Sequence, residues 1–206
     1  MNKNIINFYL AANKLKEVIR TGWLELEISS DRLESVAEHV YGTIVLAITL
    51  NGEYKLNLDM YKVIKMITVK ELEKVSLKEF TTREYPTKEE RKAQALETIT
   101  KITDGLISQE EILDLLDEIT NRETKEAKFA FQVSKLESDL QAKIYDMNGK
   151  FDLENAKEDA KYFPEGLANE IIPQIQKASD AFILYDRHYY TDDMFKKLSE
   201  EIQNLN

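Results

Sequence analysis

The sequence predicts an all-α bundle of roughly eight to ten helices. Six glycines and three prolines in 206 residues leave little turn chemistry for a β-sandwich. Apolar residues recur mostly at spacings of three and four, the period of a helix face. Hydroxyl-x-x-Glu sequences, such as Thr87-Lys88-Glu89-Glu90, mark helix starts in which side chains satisfy exposed backbone donors.

In chain order, Ile6, Leu10, Leu15 and Val18 fall near one face of a first helix over 5–19, which Arg20-Thr21-Gly22-Trp23 ends with Gly22 suited to the cap. Ser30 or Asp31 can cap the next helix, a nearly all-apolar run, SVAEHVYGTIVLAITL, that carries His39 and closes at Asn51-Gly52. Asn57 or Asp59 opens a third helix with Lys70, Glu71 and Lys74 late in it. Lys70 and Lys74 are four apart on one face, and Glu71 lies three before Lys74, so all three can look to the same side.

Capping boxes at Thr87 and Ser108 start helices over 87–103 and 108–120, which accounts for the acidic residues there. Thr124 starts a long helix through Asp146 that buries Ala127, Ala130, Phe131, Leu136, Leu140 and Ile144 and carries Ser134. The region 151–170 has the weakest periodicity and reads as a loop over the site. Pro173 suits the first turn of a helix to Tyr185. A tail helix presents Met194, Phe195, Leu198 and Ile202, with His188 before it as a surface residue.

Composition excludes several functions. With 38 acidic against 28 basic residues the net charge is −10, and the basic residues are dispersed, so duplex nucleic acid is not expected. A small phosphate ligand in a local basic pocket is compatible with that balance. No cysteine is available for disulfides or thiolate chemistry. No apolar stretch reaches the ~18 residues of a membrane span, and no signal segment leads the chain, so a cytoplasmic protein of one domain over 1–206 is expected.

A lone histidine on an apolar helix is more often a core residue than a ligand. Four segments give His39 more weight: ANKLKEVIRTGWLEL, ESVAEHVYG, NLDMYKVIKM and AKFAFQVSKLESDLQAKIYD. Together they resemble the HD-domain phosphohydrolases, in the branch of the bacterial 5′-deoxynucleotidases, most strongly over 8–146. That resemblance implies a divalent metal (Mn, Co or Zn) held by a His, a His-Asp or His-Glu pair and a later Asp. The first ligand falls on His39, the pair on Lys70 and Glu71, and the late Asp on Ser134. A following carboxylate falls beside Glu73 on Lys74, a Gly-Asp near the phosphate on Lys78-Glu79, and a further His of some relatives on Gln94. The resemblance also brings Arg20 and Trp23 toward a nucleotide, whereas the residue-level alternative makes Trp23 a loop anchor in the core. A homodimer is implied too.

Two of the four implied ligands are replaced. A protonated lysine has no lone pair to give a metal, and serine offers only a neutral oxygen, so His39 and Glu71 remain as a remnant and no metal is expected. Removing a dication leaves Glu71 without a counter-charge, which Lys70 can supply, while Ser134 removes a negative charge. The expected function is therefore a catalytically impaired relative that binds a nucleotide or other phosphate ligand through Arg20, Trp23, Lys70, Lys74 and Lys78 without metal. The alternative is an active metal-dependent phosphohydrolase of nucleoside monophosphates, with Glu73 or Glu79 as general acid or base.

Overall fold

The computed structural model describes residues 2–76 and 87–205. They form eleven α-helices and three short 3-10 turns, with no β-strand and one isolated bridge between Ile19 and Ser35. None of these helices is long and apolar enough to cross a membrane. The expected all-α class holds. The helix number exceeds the expectation because the short helices below have too few turns to show a period in sequence.

The described residues fall into two compact units, 2–19 with 35–76 and 87–131, and 20–34 with 132–205. In the first, α1 (Asn2–Asn13) leads into a 3-10 turn (Lys14–Lys16). Then come α3 (Val36–Glu53), α4 (Met60–Glu71), a 3-10 turn (Leu72–Val75), α5 (Lys88–Ile102) and α6 (Gln109–Asn121). Its core holds Leu15, Val36, Val69, Leu72, Ala95, Ile99 and Leu116. The α3 helix packs on α4, and α5 packs on the Leu72–Val75 turn. The second unit holds α2 (Thr21–Glu25), α8 (Leu153–Ala160), α9 (Glu165–Ile171), α10 (Ala178–Arg187) and α11 (Asp193–Gln203). Its core surrounds Trp23 with Leu26, Ile28, Tyr145, Phe151, Ile171 and Ile175. The long α7 (Lys125–Met147) supplies residues to both units.

Capping chemistry explains most helix starts. Thr87 and Glu90 form the expected capping box of α5, Asp59 accepts from the Lys62 amide at α4, and the Thr124 hydroxyl accepts from the Ala127 amide at α7. Ser108 sits at the start of α6 but makes no side-chain cap.

Several elements differ from expectation. The α1 helix stops at Asn13 with Ile6 and Leu10 exposed, and only Leu15 of that stripe is buried. Arg20-Thr21-Gly22-Trp23 begins α2 instead of ending a helix, with Arg20 extended at the N-cap. Neither Ser30 nor Asp31 caps α3. Ser35 does, in a reciprocal box with Glu38 that satisfies two backbone donors. On α7, Ile144 is exposed. Residues 151–170 are largely helical, because Ala156, Ala160, Ala168 and Ile171 pack inward and small alanines give only a weak apolar signal. Pro173 lies in a 3-10 turn (Ile172–Gln174), and α10 starts after it.

Candidate functional site

In the first unit, the Ser35–Glu38 box fixes the start of α3 and puts His39 in its first turns with a buried ring. The last residues of α4 and the turn after it supply charge. Glu71 is buried, and both of its oxygens meet ammonium groups: Lys70 Nζ lies 3.1 Å from Oε1, and Lys74 Nζ lies 3.1 Å from Oε2. These are the two lysines that the sequence puts on one side with Glu71. The Lys70 ammonium also stands 5.9 Å from the centre of the Phe131 ring, and the Arg122 guanidinium stands 3.7 Å from it.

Glu73, in the turn Leu72–Val75, has its carboxyl pushed up to about 7. Burial is the main cause and the neighbouring Glu71 charge the second, while Lys70, Lys74 and Arg91 pull the other way. Among the described residues, Lys70, Lys74, Arg91 and Arg122 thus stand with the Glu71 and Glu73 carboxylates around α4's end and Phe131. Gln94, one turn beyond Arg91 on α5, buries its Oε1 with no hydrogen-bond partner. Lys78 and Glu79 lie outside the described residues.

In the second unit, Arg20 organises a polar network. Its guanidinium donates to Glu34 Oε2 at 3.0 Å and to Ser138 Oγ at 2.8 Å, and reaches Glu137 Oε2 at 3.8 Å. Trp23 is fully packed, and its indole N–H donates to Glu34 Oε2 at 2.8 Å. The ring lies edge-on to Tyr145 and tilted against Phe182. The Tyr145 hydroxyl in turn accepts from the Glu34 amide at 2.9 Å. In this geometry Trp23 is the core anchor. Ser134 is buried one turn before Ser138 on α7, and its carbonyl accepts from the Ser138 hydroxyl at 3.1 Å. His188 is an exposed residue 3.6 Å from Glu170.

Glu34 and Glu137 were not singled out by sequence. Glu137 lies three residues after Ser134 on the same helix, and Glu34 immediately precedes the cap of α3, but acids near helix starts and on long helices are ordinary. Only burial distinguishes them.

A scan of protein families matches an HD domain model to residues 12–176. The chain belongs to the HD domain family. Among curated proteins it is similar to the 5′-deoxynucleotidase HDDC2 of Dictyostelium discoideum, 32% identical over 150 residues, covering 69% of this chain and 78% of that protein. The 5′-deoxynucleotidase hdd1 of Schizosaccharomyces pombe is 30% identical over 158 residues, covering 73% and 77%. A conserved hypothetical protein from Pyrococcus furiosus has a similar fold, with a TM-score of 0.64 at 20% identity over 97% of this chain and 99% of that one. Relatives named as deoxynucleotidases support an HD-family phosphohydrolase scaffold.

At the positions where the resemblance puts metal ligands, the chemistry does not fit a divalent ion well. Position 70 is an ammonium, position 134 is a hydroxyl, and the Glu71 carboxylate is engaged by two lysines. Other buried groups do have donor chemistry for such an ion: the His39 imidazole in the first unit, and the Glu34 and Glu137 carboxylates in the second.

Proposed function

We propose that the chain binds a nucleotide or other phosphate monoester on an HD scaffold in which lysine replaces the metal, with catalysis impaired. The observation that carries this reading is the pairing of Glu71 with Lys70 and Lys74 at 3.1 Å each. A buried carboxylate whose dication is gone requires positive charge nearby, and breaking such a buried pair costs about 3–5 kcal/mol. Two ammonium groups from adjacent turns meet that need within the chain. With Arg91 and Arg122 they bring positive charge and N–H donors to the end of α4, a chemistry that suits a phosphate dianion; lysine acts toward it as a point charge.

A second reading keeps the activity that the relatives' names state, hydrolysis of 5′-deoxynucleotides, and adds the divalent metal that the family resemblance implies. The donor chemistry of the buried His39 imidazole favours it. A bound metal would polarise the phosphate and lower the pKa of a water nucleophile.

Metal content and ligand binding separate the two. Purified chain is exposed to manganese, cobalt and zinc, dialysed and measured by elemental analysis beside a Lys70→His, Ser134→Asp double variant. Calorimetry then titrates deoxyadenosine monophosphate into each with and without chelator. The first reading expects no retained metal in the natural chain, near-stoichiometric metal in the double variant, and nucleotide binding by the natural chain that chelator leaves unchanged. About one tight metal in the natural chain, with release of inorganic phosphate from the nucleotide, would overturn it in favour of the second.

A further inference from the structure

The α1 helix turns one side to the core and leaves an apolar side in solvent. Phe8 and Ala12 pack against the core of the first unit, and Leu15, just past the helix, is buried in it. On the outer side Ile6, Tyr9 and Leu10, spaced as neighbours on a helix face, are 57%, 60% and 57% exposed, and Ile5 beside them is 54% exposed. A loop is tied to the same helix. Asn4 Nδ2 donates to the Gly105 carbonyl at 2.9 Å, and a Cβ at Gly105, where φ is 73°, would collide with that side chain, so only glycine lets the loop come this close. Two residues on, Ile107 is 92% exposed. Single exposed apolar residues are ordinary; five on one helix and the loop tied to it call for a covering medium.

Charge says what that medium is. Residues 2–16 carry Lys3, Lys14 and Lys16 and no carboxylate, in a chain whose net charge is −10. All three lysines are exposed, and among the described residues none of them is in an ion pair, whereas Lys62, Lys65, Lys70 and Lys74 of the same unit each hold a glutamate. On the tethered loop, Asp104 has Lys101 three residues before it. The remaining polar groups of the helix are neutral amides, Asn2, Asn4, Asn7 and Asn13. Aliphatic and aromatic side chains on one face, with unpaired lysines beside them, are the composition of a helix that lies in a lipid–water boundary. Tyr9, an apolar ring with a polar tip, suits the same place.

We propose that α1 and the Ile107 loop dock the chain on an anionic lipid surface, with Ile5, Ile6, Tyr9, Leu10 and Ile107 entering the acyl boundary and Lys3, Lys14 and Lys16 meeting the headgroups. Two observations choose lipid over a protein partner. An isoleucine 92% exposed on a loop needs a medium that closes around it, and a fluid acyl layer does so without a matching pocket. The lysines also stand at both ends of the apolar run, one before it and two after, which lets flanking cations stay at headgroup level while the apolar side chains go deeper. The acidic remainder of the chain repels such a surface within a Debye length of about 8 Å, so the chain settles with α1 foremost. The contact is peripheral, since a helix of 12 residues is too short to span. It does not depend on which reading of the phosphate site holds.

The test is sedimentation of the full chain with vesicles of phosphatidylcholine alone or with about one-third phosphatidylserine. The natural chain is expected to bind the anionic vesicles about tenfold more tightly than the neutral ones and to be largely released at about 0.5 M salt. Leu10→Glu and Ile107→Glu, each with unchanged circular dichroism, are expected to lose about tenfold in binding. The Lys3→Gln, Lys14→Gln, Lys16→Gln triple variant should bind both compositions alike. The chain has no cysteine, so a polarity-sensitive dye on Ile107→Cys reports from one point. Its emission should shift to the blue on anionic vesicles, while the same dye on Glu53→Cys, at the end of α3, should stay unchanged. Deoxyadenosine monophosphate should not compete, since the lipid does not use the phosphate site. A chain that ignores anionic vesicles, binding indifferent to Leu10→Glu and to the lysine triple variant, or displacement by the nucleotide overturns the proposal. So does binding to soluble polyglutamate through the same lysines without uptake by vesicles, which would mark an acidic protein partner instead.

Discussion

The Lys74 ammonium lies 3.1 Å from Glu71 Oε2, three residues back along the chain, while Lys70 holds the other oxygen. The pair links the last turn of α4 to the 3-10 turn after it.

Removing Lys74 takes one ammonium away from the buried Glu71 carboxylate. Lys74→Met is expected to destabilise the first unit by about 2–3 kcal/mol at pH 7, short of the full cost of an unpaired buried charge because Lys70 remains. Lys70→Met, Lys74→Met should cost more than either alone, and adding Glu71→Gln should recover most of the loss. Urea denaturation of the four variants measures this; equal stability of Lys74→Met and the natural chain would show the pair to be immaterial.

Glu73 sets a pH dependence. Its folded pKa is raised from 4.5 to about 7, so the native state holds the proton more tightly than the unfolded chain does. The stability this lends is full below pH about 4.5 and is lost as pH rises to about 7. Glu73→Gln is therefore expected to match the natural chain near pH 4 and to exceed it by about 2 kcal/mol at pH 8, the full shift being discounted for residual solvent. Denaturation midpoints across that range should diverge only above pH about 5.

Arg20 and Glu34 form the polar support of Trp23. Arg20→Lys keeps the charge but cannot reach Glu34 and Ser138 together, so it should cost about 1–3 kcal/mol. Trp23 is the sole tryptophan, so its fluorescence reports on the second unit directly. Glu34→Gln should shift that emission with little change in helix content, since the indole N–H then donates to a neutral oxygen.

Tyr190 donates to Asp139 Oδ2 at 2.7 Å in the second unit, and Asp139 Oδ1 is buried with no hydrogen-bond partner. Burial first, and then the charge of Asp186, holds the Asp139 carboxyl well above its usual range. Tyr190→Phe should destabilise by about 1–3 kcal/mol by taking away the hydroxyl that serves this carboxylate. Guanidinium denaturation of the variant checks the figure, and an unchanged midpoint would mean that the hydroxyl contributes nothing.

Much of the helix layout could be read from local chemistry. Thr87, Asp59 and Thr124 cap the helices they were expected to cap, because a cap needs only a side chain and an amide two or three residues on. Ser30 and Asp31 look equally suited but do not cap α3, since the helix begins only at Val36, with the extended Ser35 as its cap. The helices of 151–170 were missed because alanine covers a core face without announcing it.

The sequence by itself determined the all-α class, the place of His39 on an apolar helix, and the run of Lys70, Glu71 and Lys74 late in the next one. Those features rest on residue type and on spacing within one helix. Only the tertiary structure decided that Glu71 is buried between two ammonium groups, that Trp23 is an anchor hydrogen-bonded to Glu34, and that the Ile6 face of α1 is open. Each depends on which neighbours exclude water, and burial is set by segments far apart in the chain. A charge near α4's end is ordinary in solvent; desolvated, it must find a partner.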